Sequence, residues 1–288
     1  MTYFGFLAIF LCIPIALLWV VNLWDARRGK VLPPHWHTWA SRVVVAAHCI
    51  IAVVYTTPWD NYLVATRVWW YDPAMVTGLI IGWVPIEEYT FFVLQPLLTG
   101  AWLLMIARHR SEWMLPGVAH PLRFRILTTA IIFVVWLVSV ILLFSGWRPW
   151  TYMGLLLGWA LPPIMIQTAF GADILWKQRK LVALTVIPMT LYLAAADKYA
   201  ITSGVWTINP EQQLNILLLG RLPLEEFLFF FMTNALIAIG ITLVSQTESK
   251  TRADYYLARV RQWLRRAPAS VTPSFPETTE HRYEAGTD

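Results

Sequence analysis

Seven long apolar runs, near residues 4–24, 41–57, 77–106, 126–144, 151–171, 181–196 and 214–244, limit what this chain can become. About 20 apolar residues span a hydrocarbon core roughly 30 Å thick. Lipid offers the backbone no hydrogen-bond partner, so each run must satisfy its own amides as a helix. The expected fold is all-α and integral to the membrane, with about seven transmembrane helices. A composition of 58% hydrophobic and 14% charged residues over 288 positions excludes an ordinary soluble domain. The second and sixth runs are short, so their ends are the least defined.

Charge supplies the orientation. The first run has no basic residue before it and Arg27, Arg28 and Lys30 after it, the reverse of a cleavable signal peptide, and reads as a retained anchor. On alternate sides of a seven-helix chain, one side carries 18 of the 22 Lys and Arg residues, and the other only Arg67, Arg148, Lys198 and Arg221. The rich side is expected to be cytoplasmic, with the N-terminus outside and the C-terminus inside a cell (inner or plasma) membrane. The net charge of +5 then reflects topology and gives no reason to expect nucleic acid as a partner. Cys12 and Cys49 fall in apolar runs and are expected to be buried thiols rather than a disulfide framework. His35 and His37 have no acid or Cys at ligand spacing, so no metal is expected.

The motif Pro-x-Glu-Glu-aromatic-x-Phe-Phe occurs at Pro85–Phe92 and again at Pro223–Phe230. Ahead of it, Asp60, Tyr62, Trp69 and Pro73 match Asp197, Tyr199, Trp206 and Pro210 at an offset of 137, and the Glu pairs follow at 138. This is an internal duplication. Residues 1–110 are expected to form a first three-helix repeat, 111–148 a linker with the fourth helix, and 149–246 the second repeat. Three helices plus one linker return the second repeat to the orientation of the first, so the repeats should be parallel. Residues 247–288 read as a basic amphipathic helix on the anionic leaflet, followed by a disordered tail.

Carboxylates within a membrane span are costly, about 2.5–3.5 kcal/mol each at the centre, and mark functional paths. Glu87, Glu88, Glu225 and Glu226 are therefore the candidate catalytic acids. In a dry site one of each pair is expected to keep its proton at neutral pH, so a pair can serve as donor and acceptor. Trp69, Trp83, Tyr89, Phe91 and Phe92 in the first repeat, with Trp206, Phe227, Phe229 and Phe230 in the second, could stabilise a cation through their ring faces; Trp59 and Trp70 are further candidates. Packing would also explain the Phe pairs, an interfacial belt the Trp residues, and helix capping the Glu pairs. Asp60 and Asp197 could relay protons, orient Tyr62 and Tyr199, or cap helices. Arg221, four residues before Glu225, is expected to hold that acid ionised, whereas the matching residue in repeat one is Trp83. His48 and Gln95 are expected to bond across the bundle.

These repeats, with their doubled Pro-x-Glu-Glu helices and Asp-x-Tyr…Trp loops, resemble the membrane-integral lycopene cyclases over about residues 3–245. The resemblance implies an intramolecular lyase (isomerase) without a cofactor, with Glu87, Glu88, Glu225 and Glu226 as its acids. It would turn the linear ψ end groups of lycopene into β-rings, giving gamma- and beta-carotene. Implied partners are an acyclic carotenoid drawn from the bilayer, membrane lipids and other carotenoid-biosynthesis enzymes. Ring type (β or ε), a C50 substrate and the number of ends cyclised stay open. A proton-coupled transporter is the main rival, since repeated bundles with intramembrane acids describe such carriers too. A retinal protein would need a Lys within a helix, whereas all five Lys residues are expected in loops, at helix ends or in the tail; a prenyltransferase would need Asp-rich motifs, and none is present.

Overall fold

The computed structural model describes residues 1–36, 39–110 and 115–266. Seven helices are long and apolar enough to cross a membrane: α1 Tyr3–Arg27, α2 Ser41–Ala65, α3 Ile86–His109, α4 Pro121–Phe144, α5 Thr151–Lys177, α6 Arg179–Thr202 and α7 Leu224–Ser245. The protein is thus an all-α, multi-pass membrane protein. Residues Met1–Lys250 pack as one unit. An eighth helix, α8, covers Thr247–Arg266, with Leu257, Val260 and Trp263 exposed. The expected disordered tail beyond it, and His37, lie outside the described residues.

Three short antiparallel ladders shape one end of the bundle. Strand β1 (Trp69–Tyr71) pairs with β4 (Trp206–Ile208), β2 (Ile80–Ile81) with β3 (Val84–Pro85), and β5 (Leu217–Leu218) with β6 (Leu222–Pro223). The two hairpins explain why α3 and α7 begin at 86 and 224 rather than at 77 and 214. The apolar residues ahead of each helix form a hairpin, and an extended Pro85 (φ −71°, ψ 153°) or Pro223 (φ −57°, ψ 143°) starts the helix.

The change of offset from 137 to 138 has a local cause. Ile81 pairs with Val84 across a two-residue loop, Gly82-Trp83, whereas Leu218 pairs with Leu222 across three residues. The extra residue is accommodated at positive φ, with Leu219 at 48° and Gly220 at 80°. Gly82 (φ 68°) must lack a side chain for a second reason: a Cβ there would meet Asn61 Oδ1 at 2.2 Å. Arg221 lies in the longer loop and is exposed. Among the described residues it makes no ion pair with Glu225, which corrects the expected pairing: contact at i, i+4 needs a continuous helix, and α7 starts only at Leu224.

The β1–β4 ladder joins the two halves. Its register sets Trp70 opposite Thr207, Trp69 opposite Ile208 and Tyr71 opposite Trp206. Trp70 and Thr207 are themselves 137 apart, so the ladder turns about a local two-fold through that pair. The flanking bonds obey the same relation: Asp72 N donates to Val205 O (3.1 Å) and Asn209 N to Val68 O (2.8 Å).

Helices α3 and α7 form the buried centre. Packing between membrane helices relies on close contact and on hydrogen bonds worth about 0.6 kcal/mol on average. Here Gln95 Nε2 donates to Thr233 Oγ1 (2.8 Å) and Thr99 Oγ1 to Asn234 Oδ1 (2.6 Å). Gln95 thus bonds across the bundle as expected. His48 does not: its Nδ1 pairs with Val44 O one turn back on its own helix, at 2.7 Å. Cys49 is buried but Cys12 is exposed on α1, because that helix buries only one side. Helix α4 buries only Ser139 and packs on α5, where Trp150 Nε1 donates to Ser139 O (3.1 Å).

Candidate active site

The two glutamates of each motif point in different directions, as adjacent helical residues about 100° apart must. Glu87 Oε1 accepts from Thr77 N at 2.7 Å, and Glu225 Oε1 from Leu214 N at 2.7 Å. Each is fully buried against the loop that leads into its own helix. The first acid of each pair thus ties its helix to the preceding loop; no side chain caps the start of α3 or α7, which corrects the expected capping.

The second acids turn inward. Glu88 and Glu226 line a single cavity of about 50 Å³ together with Asp60 and Asp197, ringed by Trp59, Trp69, Trp206 and the phenylalanines Phe91, Phe92, Phe229 and Phe230. Three tyrosines donate to the acids. Tyr3 and Tyr71 hydroxyls both reach Glu88 Oε2, the latter at 3.0 Å, and Tyr152 donates to Glu226 Oε1 at 2.8 Å. Burial, then the carboxyls of Asp60 and Glu88, push the Tyr71 phenol well above the ordinary tyrosine value, so it stays a hydrogen-bond donor.

The halves cover one another. Trp206 of the second half lies over Tyr3 (ring centroids 5.0 Å apart), and Trp69 of the first meets Tyr152 edge-on (5.3 Å). Trp59 stacks on Trp159 at 4.5 Å and on Phe229 at 5.9 Å. Such a wall excludes water and offers ring faces to positive charge.

Asp60 and Asp197 do not cap helix ends: each is 1% exposed, inside α2 and α6 respectively. Trp206 Nε1 donates to Asp197 Oδ1 (3.0 Å), while both side-chain oxygens of Asp60 lack a hydrogen-bond partner among the described residues. Nor do they orient the tyrosines two residues on. Tyr62 (54% exposed) and Tyr199 (49%) face outward, because a two-residue step turns a helix by about 200°.

Trp83, Tyr89 and Phe227 are not in the cavity wall. Trp83 is at the exposed hairpin loop, and the Tyr89 hydroxyl donates to Ile81 O (2.9 Å), holding that hairpin. Phe227 is partly buried beside the core. Trp70 borders an outer groove instead.

Tyr3, Tyr71 and Tyr152 are the functional candidates that motif reading missed. A signal for two of them exists: Thr2-Tyr3-x-Gly5 recurs as Thr151-Tyr152-x-Gly154 at an offset of 149. Following the duplication into the first helix of each repeat would have found both.

A sequence model described as lycopene cyclase matches residues 1–106 and 149–244. The chain belongs to the lycopene cyclase family. It is similar to a lycopene beta-cyclase of Halobacterium salinarum, 35% identical over 254 residues, which cover 87% of this chain and 99% of that protein. It is also similar to bifunctional lycopene cyclase/phytoene synthases of Sporisorium reilianum (36% identical, 65% of this chain and 28% of that protein) and Aspergillus oryzae (32%, 79% and 37%). No solved structure matches.

Proposed function

We propose that this protein is an enzyme that cyclises the linear ψ end groups of lycopene to β-rings inside the membrane, without net oxidation or reduction. The β assignment follows the halobacterial relative, which is a lycopene beta-cyclase by name. The observation that carries the chemistry is a pair of inward carboxyls, Glu88 and Glu226, in one aromatic-walled cavity. A transporter reading has no such support, since that wall offers little to a polar solute.

In the proposed reaction a carboxylic acid gives its proton to C2 of the end group, which breaks the O–H bond, forms a C–H bond and leaves a tertiary cation at C1. The electron pair of C5=C6 then forms the C1–C6 bond. A carboxylate removes the proton from C6, and those electrons restore the C5=C6 double bond. Atoms and charge balance, and each turnover leaves one proton moved from donor to acceptor.

Hydrogen bonding separates the two acids. Glu88, whose Oε2 accepts from two phenols, would act as the base. Glu226, with a single phenolic donor, suits the acid. Trp59, Trp69, Trp206 and the four cavity phenylalanines would face the cation, each worth about 0.5–2 kcal/mol. Glu87 and Glu225 position their neighbours by fixing the start of α3 and α7. Asp60 and Asp197 would return the proton between the two sites.

The same reading takes residues 1–110 and 149–246 as parallel repeats joined by 111–148, supported by the two-fold β1–β4 ladder. It places the N-terminus outside a cell membrane and the tail in the cytoplasm, supported by the Lys and Arg distribution. Expression in a lycopene-accumulating bacterium, followed by chromatography of the pigments, tests the reading. Mono- or bicyclic β-carotenes are expected; unchanged lycopene beside well-folded, membrane-inserted protein would contradict it.

A further inference from the structure

The acid cavity is too small for what it would act on. About 50 Å³ is room for a water or two, not for the nine-carbon end of an isoprenoid chain, and the rest of a long polyene needs somewhere to lie. Two outer grooves adjoin it, and they are repeat equivalents. One, of about 260 Å³, runs between Val64, Trp70, Val76, Ile80 and Trp83. The other, of about 430 Å³, runs between Ile201, Thr207, Gln213, Leu217 and Arg221.

We propose that the first groove is the polyene-binding subsite and that Tyr71 is the gate between it and the acid cavity. The inference rests on the cyclase reading and adds the path of its substrate. Tyr71 lines both the groove and the cavity, so the two spaces share one wall. Its hydroxyl is tied to Glu88 and its ring is stacked on Tyr3 at 6.0 Å. Swinging that one side chain outward would join the spaces and free Glu88 of one hydrogen bond as the end group arrives.

The second groove differs at the two positions that matter. Ile208, the counterpart of Tyr71, is 7% exposed and plugs its side of the cavity with hydrocarbon. Arg221 stands where the first groove has Trp83. Each groove carries one guanidinium, Arg67 in the first and Arg221 in the second, so charge does not separate them; Trp83 and Trp70 do, presenting ring surface to a conjugated chain where the second groove has Arg221 and Thr207. Ile80 and Trp83 are 57% and 65% exposed, so the first groove opens on the outer surface of the bundle and a ligand could slide in from lipid.

The test uses full-length protein in lipid vesicles and initial cyclisation rates over a lycopene series. Ile80→Trp, which fills the groove at an exposed site, is expected to lower kcat/KM at least tenfold, mostly through KM. Leu217→Trp, the same blockade at the equivalent position of the other groove, should stay within twofold of the parent, with both variants inserted and as heat-stable as the parent. A rate within twofold for Ile80→Trp, or an equal loss in Leu217→Trp, would each overturn the subsite. Failure of the unmodified protein to cyclise lycopene would instead remove the cyclase reading, and this inference with it.

Discussion

Glu88 and Glu226 hold matching places at the starts of α3 and α7, yet their surroundings differ. Glu88 accepts hydrogen bonds from Tyr3 and Tyr71, whereas Glu226 accepts one from Tyr152. Their aspartate neighbours differ in the opposite sense: Asp197 accepts from the Trp206 indole, while the side-chain oxygens of Asp60 have no hydrogen-bond partner among the described residues. What duplication kept is the scaffold: the proline that starts the helix, the first acid that holds the preceding loop, the ladder and the inward second acid. What diverged is the set of donors around the inward acids. A reaction that needs one proton donor and one acceptor gains from such divergence, because two identical acids would compete for the same role.

The comparison can be broken at several points. The largest effect should come from Glu88→Gln and Glu226→Gln, each lowering the cyclisation rate by about a hundredfold or more, as loss of a general acid or base does. Equal, near-normal rates in both would erase the distinction between the inward acids and the loop-holding ones.

Next come the tyrosines. Tyr152→Phe strips Glu226 of its phenolic donor and should slow turnover by about tenfold or more, the value of a hydrogen bond to a charged group. Tyr71→Phe leaves Glu88 with Tyr3 and should cost less at saturating lycopene. Rates measured side by side sharpen the asymmetry, and a larger loss in Tyr71→Phe would reverse the assigned roles.

Smaller still is the effect at the loop-holding acids. Glu225→Gln keeps an oxygen for Leu214 N and should retain activity within about threefold, whereas Glu225→Ala leaves that amide unpaired at a cost of about 1–3 kcal/mol in stability. Thermal unfolding of the two variants in detergent separates these outcomes. The smallest effect is expected for Arg221→Leu, with activity unchanged within twofold, because the guanidinium makes no ion pair with Glu225.

Much of this was written in the sequence. The seven spans follow from hydropathy, because lipid forces apolar runs into helices. The doubled Glu pairs pointed to the candidate site, since a charge in that setting needs a reason. Which acid of a pair faces inward was not legible, because both orientations fit the same helix and the choice depends on where Thr77 N and Leu214 N come to lie. The hairpins escaped notice because Leu79, Ile80 and Ile81 are as apolar as any helical turn, and only Pro85 and Gly82 betray the break. Tyr3 and Tyr152 were hidden by a change of offset from 149 to 137, because the connection between α5 and α6 is shorter than that between α1 and α2.

The central claim is that two inward carboxyls, one from each half, move the proton that closes the ring. The most direct measurement is pigment chromatography of lycopene-fed membranes carrying the double variant Glu88→Gln, Glu226→Gln, with insertion checked by protease protection. Linear lycopene and no cyclic carotene are expected; cyclic carotene at the level of the unmodified protein would contradict the account.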